Sequence, residues 1–257
     1  MMGLLGSREH LFFIVILLAN IIQGITGFAG TILAMPFGIM LVGYDTAKPV
    51  LNVLGLLSGI YVFAGNRKAV DWKELKKIVL IMALGILAGM GIRELLSGRE
   101  SLLYHGLGVF VIVIALQGLY QKLISPKLSA RSVGSENITL RIGLDLGLLA
   151  AAGIVHGIFV SGGPLLIGYL TRRIRDKTAF RATISTVWIV LNTIILVGDI
   201  RSGLWTGANL RSLAVAIPFL LVGMVIGGKL YRIMSQKVFM LLTYALLFIS
   251  GVSLLCK

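Results

Sequence analysis

Long apolar runs separated by short polar connectors dominate the sequence. They span about residues 11–43, 46–65, 76–96, 102–121, 142–170, 182–198, 210–230 and 238–256. A transmembrane helix needs about 20 apolar residues to cross a hydrocarbon core of about 30 Å, and no ionised side chain occurs between Leu11 and Val42. The pattern therefore predicts an all-α integral membrane protein with several helical spans.

The first and fifth runs are too long for one crossing. At 1.5 Å per residue they would form helices of about 50 Å and about 43 Å. Clustered Gly and Pro residues interrupt a helix, and both runs contain such clusters: Gly24, Gly27, Gly30 and Pro36 in the first, and Gly153, Gly157, Gly162, Gly163 and Pro164 in the second. Each run is predicted to be a broken helix.

The basic residues indicate whether each broken run crosses the membrane or folds back. Cytoplasmic connectors are enriched in Lys and Arg. If both runs fold back as hairpins of two short helices, about 17 of the 24 basic residues lie on the cytoplasmic side, against about 13 if each run crosses once. The hairpin arrangement is favoured, and it places both termini on the outer side.

The two interruptions also align with each other. Residues 23–30 lie over residues 156–163 at an offset of 133, and the two hairpins have opposite topology. The sequence therefore predicts two inverted-topology repeats, each a broken-helix hairpin followed by three transmembrane helices: residues 1–121, a cytoplasmic linker at 122–141, and residues 142–257. Inverted repeats with broken helices are typical of secondary transporters.

Composition agrees with a membrane protein. The chain is 57% hydrophobic and only 13% charged. Its net charge of +14 resides in the connectors, so orientation in the membrane explains it better than binding of nucleic acid. The apolar stretch from Leu11 to Ala19 is expected to be retained, because no signal-peptide cleavage site follows it. Cys256 is the only cysteine, so no cysteine cluster for a metal exists.

The glycine-rich segments resemble a known family. The segment from Gln23 to Gly30 with Pro36 after it, and the segment from Gly157 to Pro164, are similar to those of the sulfite exporter TauE/SafE permeases. The resemblance implies a cell-membrane permease for small anions, often sulfur oxyanions or organosulfonates, that holds no cofactor.

A broken helix exposes backbone N–H groups whose positive dipole ends can face an anion. These donors are predicted around Phe28 to Thr31 and around Ser161 to Gly163, with the hydroxyls of Thr26 and Ser161 beside them. The candidate substrate-binding residues of the two breaks are Gln23, Thr26, Gly27, Phe28, Ala29, Gly30, His156, Ser161, Gly162 and Gly163. Close helix packing is the other explanation for the glycines.

Four polar residues outside the glycine segments complete the candidate set, namely Lys48, Asn52, Arg181 and Ser185. Lys48 and Arg181 coincide at the offset of 133, each near the start of a helix, where the dipole disfavours a positive charge. An anionic substrate would compensate that charge, although Arg181 also belongs to an orienting basic block. His156 could carry a coupling proton or be a neutral side chain bonded to a neighbouring helix.

These features predict a secondary transporter that works by alternating access through rocking of its halves. The expected partners are a small anionic substrate, membrane lipid and a coupling proton, with a homodimer left open. An anion-selective channel and a passive scaffold are the competing membrane functions. An intramembrane serine hydrolase using Ser161 and His156 is disfavoured, because the two residues point about 140° apart on a helix.

Overall fold

The computed structural model describes residues 7–95, 138–174 and 176–233, with scattered positions between 105 and 120 and between 235 and 255. Eight α-helices and one 3-10 turn, Arg67–Ala69, are delimited there. The helices are α1 Ser7–Thr26, α2 Gly30–Val42, α3 Tyr44–Asn66, α4 Trp72–Leu95, α5 Ile138–Phe159, α6 Gly163–Arg173, α7 Lys177–Arg201 and α8 Gly207–Ile233. All of them except α2 and α6 are long and apolar enough to cross a membrane. The prediction of an all-α, multi-pass membrane protein is confirmed.

The two predicted helix breaks are present, and both runs fold back. In the first hairpin, Phe12 of α1 lies against Gly38 of α2, at the end away from the break. In the second, Arg173 at the end of α6 forms a salt bridge of 2.6 Å with Asp145 near the start of α5. Contacts between the start of one arm and the end of the other require antiparallel arms.

The expectation of two short arms is wrong for the first arm of each hairpin. The first arms, α1 and α5, have 20 and 22 residues, whereas α2 and α6 have 13 and 11. At 1.5 Å per residue the first arms are about 30 Å long. The reason is that both first arms begin before their apolar runs, at Ser7 and Ile138, and that the second break lies past the middle of its run.

Apolar side chains cover the outer surface of the helix bundle. On α4, Leu80, Leu84 and Leu87 are exposed by 58% or more of their area, at the three- and four-residue spacing of one helix face. Conversely, several polar side chains are buried between the helices, including Gln23, Asn52 and His156. This distribution is the one that lipid favours, with apolar groups outside and partnered polar groups inside.

Close helix contacts join the two predicted halves. A Cβ atom on Gly24 of α1 would lie 3.0 Å from Gly227 Cα of α8, and one on Gly85 of α4 would lie 2.9 Å from Gly153 Cα of α5. Helix α3 likewise packs along α7. Small residues permit such close backbone approach in membrane bundles. The closest packing is therefore between helices of different sequence halves: α1 with α8, α4 with α5, and α3 with α7.

The remaining topological predictions stay predictions. The spans at 102–121 and 238–256 fall on stretches of which only scattered residues are described, and the linker at 122–141 lies outside the described residues except for its last four. The inverted topology of the two repeats and the side on which the termini lie are likewise predictions.

Candidate functional site

The two helix breaks begin with the same backbone turn. Gly27 has φ of +81° and Val160 has φ of +54°, so both adopt the left-handed conformation. The N–H of Gly27 donates to the Gln23 carbonyl at 2.7 Å, and the N–H of Val160 donates to the His156 carbonyl at 2.7 Å. A left-handed residue with this hydrogen bond is a common helix terminus. Val160 is β-branched, so its conformation is strained.

The side chains of Gln23 and His156 then cap the next helix. Gln23 Oε1 accepts a hydrogen bond of 2.7 Å from the N–H of Gly30, and Gln23 Nε2 donates to Ser58 Oγ at 3.0 Å. Both are buried contacts. In the first break, one amide side chain therefore connects α1, α2 and α3.

His156 makes the corresponding contacts in the second break. Its Nδ1 accepts from the N–H of Gly162 at 3.4 Å, and its Nε2 lies 2.8 Å from Asn192 Oδ1. Because Gly162 N–H can only donate, the imidazole proton belongs on Nε2, where it is donated to Asn192. In this structure His156 is therefore a neutral side chain bonded to α7, and its role as a proton carrier stays a prediction.

Three of the predicted donors of the first break are occupied within the protein. Thr26 Oγ1 accepts hydrogen bonds of 3.0 Å from the N–H groups of both Phe28 and Ala29, while Gln23 accepts that of Gly30. In the second break, His156 accepts from the N–H of Gly162, and the Ser161 hydroxyl donates to the Phe159 carbonyl at 2.9 Å. These four backbone N–H groups are thus satisfied by the protein itself in this conformation.

The two breaks meet at one small cavity. The residues that line it are Gln23, Phe28, Thr31, Ile32, Gly55, His156, Val160, Ser161, Gly163, Trp188 and Asn192. The structure therefore brings together five of the predicted site residues, namely Gln23, Phe28, His156, Ser161 and Gly163. The space inside holds about one water molecule. A sulfur oxyanion does not fit in this space, and we therefore call this arrangement of the two breaks closed.

One face of α7 lines the cavity near the middle of the helix and carries polar side chains toward both of its ends. It carries Arg181, Ser185, Trp188, Asn192 and Asp199, which follow one another at spacings of three, four or seven residues. Such spacings put side chains on the same side of a helix. Trp188 and Asn192 line the cavity, whereas the other three make contacts beyond it.

Arg181 and Ser185 hold the end of α1. An Arg181 Nη atom donates to the Gly24 carbonyl at 2.6 Å, and Ser185 Oγ donates to the Gly27 carbonyl at 3.3 Å. The Arg181 guanidinium also lies 4.5 Å from the centre of the Tyr231 ring. The negative end of the α1 dipole and this aromatic ring stabilise the positive charge. The Arg181 Nε atom has no hydrogen-bond partner among the described residues, and a contact between Arg181 and the substrate stays a prediction.

Lys48 has a carboxylate partner. Its Nζ donates to Asp199 Oδ1, and the two side chains are only 2% and 1% exposed. Arg93 and Asp45 form a second, more exposed ion pair of 3.3 Å at the same end of the bundle. Asp199 thus compensates the charge of Lys48 in this structure, and a contact between Lys48 and the substrate stays a prediction. Asn52 donates to the Asn192 carbonyl at 3.1 Å from a fully buried position, joining α3 to α7.

Trp188 is one of the cavity residues that were not predicted from the sequence. Its ring lies 4.8 Å from that of His156 at an interplanar angle of 30°. The available signal was its position seven residues after Arg181, on the same helix face.

Ser161 and His156 both form hydrogen bonds with other partners. The hydrogen bond between nucleophile and base that a serine hydrolase requires is therefore not formed among the described residues.

The fold and cavity define a multi-pass membrane protein built around two broken helices. The sulfite exporter TauE/SafE family model matches residues 12–254, and the chain belongs to this family. The match confirms the resemblance seen in the glycine segments and identifies a membrane transporter.

Two curated proteins illustrate the similarity. One is the "Probable inner membrane transporter protein TsaS" of Comamonas testosteroni, 26% identical over 190 residues, which cover 74% of each chain. The other is "Undecaprenyl-diphosphatase" of Trichormus variabilis, 24% identical over 205 residues, which cover 76% of this chain and 63% of that protein. No solved structure matches the chain significantly.

Proposed function

We propose that this protein is a secondary transporter that moves a small anion, a sulfur oxyanion or an organosulfonate, across the inner membrane by alternating access. The observation that carries the proposal is the convergence of both helix breaks on one cavity. Family membership and the relative named as an inner membrane transporter support the class. The choice of sulfur anions follows from the family description.

The capping contacts supply a mechanism for binding. In the closed conformation, Thr26, Gln23 and His156 occupy N–H groups that start the second arms. When the helices separate, an anion can replace these internal acceptors at the positive ends of α2 and α6. The site then binds an anion with neutral donors, since none of the described lining residues is Lys or Arg.

In this proposal the two sequence halves rock against each other. They meet where α1 packs against α8, α4 against α5 and α3 against α7. Movement along these contacts opens the cavity to one side or the other. The sequence-based sidedness, with both termini outside, and a coupling proton on His156 are part of the same proposal.

Uptake into proteoliposomes tests the proposal. Radiolabelled sulfite, sulfate and a small organosulfonate would be compared with and without a pH gradient, using the wild type, His156→Ala and Gly163→Leu. Gly228→Ala is the control, because a Cβ atom on Gly228 meets no atom within 4 Å. Saturable, concentrative uptake of one anion that Gly163→Leu abolishes and Gly228→Ala retains is expected.

Each alternative gives a different result. Flux that does not saturate and never exceeds the applied gradient would indicate a channel and contradict alternating access. Unchanged dependence on the pH gradient in an active His156→Ala protein would remove His156 as the proton carrier. Absence of flux for every sulfur anion, with flux of another anion, would overturn the proposed substrate class.

A further inference from the structure

Trp188 has a buried hydrogen-bond donor without a partner. Its side chain lines the cavity and is 4% exposed, yet its indole Nε1 has no hydrogen-bond partner within the described part of the chain. Buried indole N–H groups usually have a partner, because leaving one unsatisfied costs free energy. An unsatisfied donor beside a cavity therefore indicates a position where a ligand can accept a hydrogen bond.

Neighbouring groups fix the position of the indole. The His156 ring packs against it, and His156 is itself held by Asn192 and Gly162. The Cζ2 atom, which is bonded to the carbon that carries Nε1, faces Gly163: a Cβ atom at Gly163 would lie 3.8 Å from Cζ2 and 3.7 Å from the Phe28 carbonyl oxygen. This edge of the indole thus lies where the two breaks face each other.

We infer that the Trp188 indole N–H donates a hydrogen bond to an oxygen of the transported anion. The inference rests on the proposed function and deepens it by naming a substrate-binding residue. A neutral donor suits a carrier that must also return empty, because an unpaired cation left in the emptied cavity would be costly to bury. An indole N–H only donates, so it selects for ligands that present an acceptor oxygen.

The substitution Trp188→Phe tests this role. It removes the N–H group and keeps an aromatic ring against His156. The matched control is Trp205→Phe, because Trp205 also has a buried Nε1 without a partner among the described residues but lies in the connection between α7 and α8 and does not line the cavity. Loss of a hydrogen bond to a charged ligand should raise KM about tenfold or more in Trp188→Phe, with Trp205→Phe unchanged.

Fluorescence keeps the inference testable if Trp188→Phe fails to fold. The sequence contains three tryptophans, so the double variant Trp72→Phe/Trp205→Phe retains Trp188 alone. Titration with the transported anion should change its emission saturably, at the concentration that half-saturates uptake.

Two results would overturn the inference, and they are distinguishable. Equal KM values for Trp188→Phe and Trp205→Phe, in a protein whose wild type shows saturable uptake, would remove Trp188 from the site and leave the proposed function intact. A wild type that neither accumulates an anion nor shows a fluorescence response to any would overturn the proposed function and this inference with it.

Discussion

Gln23 and His156 make the same pair of contacts at the two helix breaks. The carbonyl of each accepts from the left-handed residue four positions later, and the side chain of each accepts from a backbone N–H at the start of the next helix. Each also reaches the helix that follows its hairpin, at Ser58 or Asn192. At each break, one side chain thus joins both arms of the hairpin to the helix that follows.

Substitution of Gln23 should separate capping from packing. Gln23→Leu keeps much of the volume but leaves the buried Gly30 N–H without its acceptor, so it should lower the free energy of unfolding by about 1–3 kcal/mol. Gln23→His supplies the acceptor used in the second break and should recover part of that loss. Thermal unfolding in detergent micelles measures both, and a Leu variant as stable as the wild type would rule out a capping role.

Exchange of the two left-handed residues should have unequal effects. Gly27→Val would place a β-branched residue at φ +81°, with its Cβ 2.8 Å from Ser185 Oγ, and little folded protein is expected. Val160→Gly loses a side chain that is 2% exposed, which costs about 1.5–3 kcal/mol, and adds about 0.5–1 kcal/mol of chain entropy. Relief of about 1–3 kcal/mol of strain offsets much of this loss, so its melting temperature should fall much less than that of Gly27→Val. An equally large fall in both proteins would contradict the strain argument.

The Lys48–Asp199 ion pair predicts a strongly non-additive double substitution. Removing one partner leaves a buried charge uncompensated, which costs about 3–5 kcal/mol, whereas replacing both with apolar residues is often nearly neutral. Asp199→Leu should therefore be unstable and Lys48→Met/Asp199→Leu close to the wild type in melting temperature. If the stable double variant also shows a raised KM for the anion, Lys48 contacts the substrate as its sequence position predicts. An unchanged KM leaves it a structural role.

Adjacent glycines on α8 test the close contact with α1. A Cβ atom on Gly227 would overlap the Ile21 carbonyl oxygen, whereas one on Gly228 meets nothing within 4 Å. Gly227→Ala should thus destabilise the protein by about 1–3 kcal/mol or more, as overpacking does. Gly228→Ala should melt with the wild type. Equal melting temperatures for the two variants would mean that α1 and α8 are not in close contact.

Much of the fold was predictable because lipid imposes simple rules. Run length, basic residues and glycine clusters predicted the two breaks and the return of each chain segment. The self-alignment even paired Gly27 with Val160, which share the left-handed conformation although only one is glycine. The two positions have the same backbone conformation but different residue types. An alignment that counted only identical residues would not have paired them.

Contacts between distant helices were not predictable in the same way. The self-alignment pairs Lys48 with Arg181, but Lys48 is bonded to Asp199, whose counterpart at that offset is Asn66. Arg181 instead donates to a backbone carbonyl. Because every residue has a carbonyl, the sequence does not indicate this partner. Trp188 appeared to be one more apolar residue of a membrane helix. Its unsatisfied N–H is visible only when every neighbour is in place.

The pairing of α1 with α8 has a consequence for biogenesis. Synthesis proceeds from the N-terminus, so α1 is made first, yet the helix that packs at Gly24 carries Gly227 and is made near the end of the chain. Helices α4 and α5 lie closer together in sequence and can associate much earlier. The small-residue face of α1 therefore remains against lipid, or against a helper protein of the insertion machinery, until α8 arrives. A nascent chain that stalls before α8 leaves that face uncovered, which is a feature that membrane quality control can recognise.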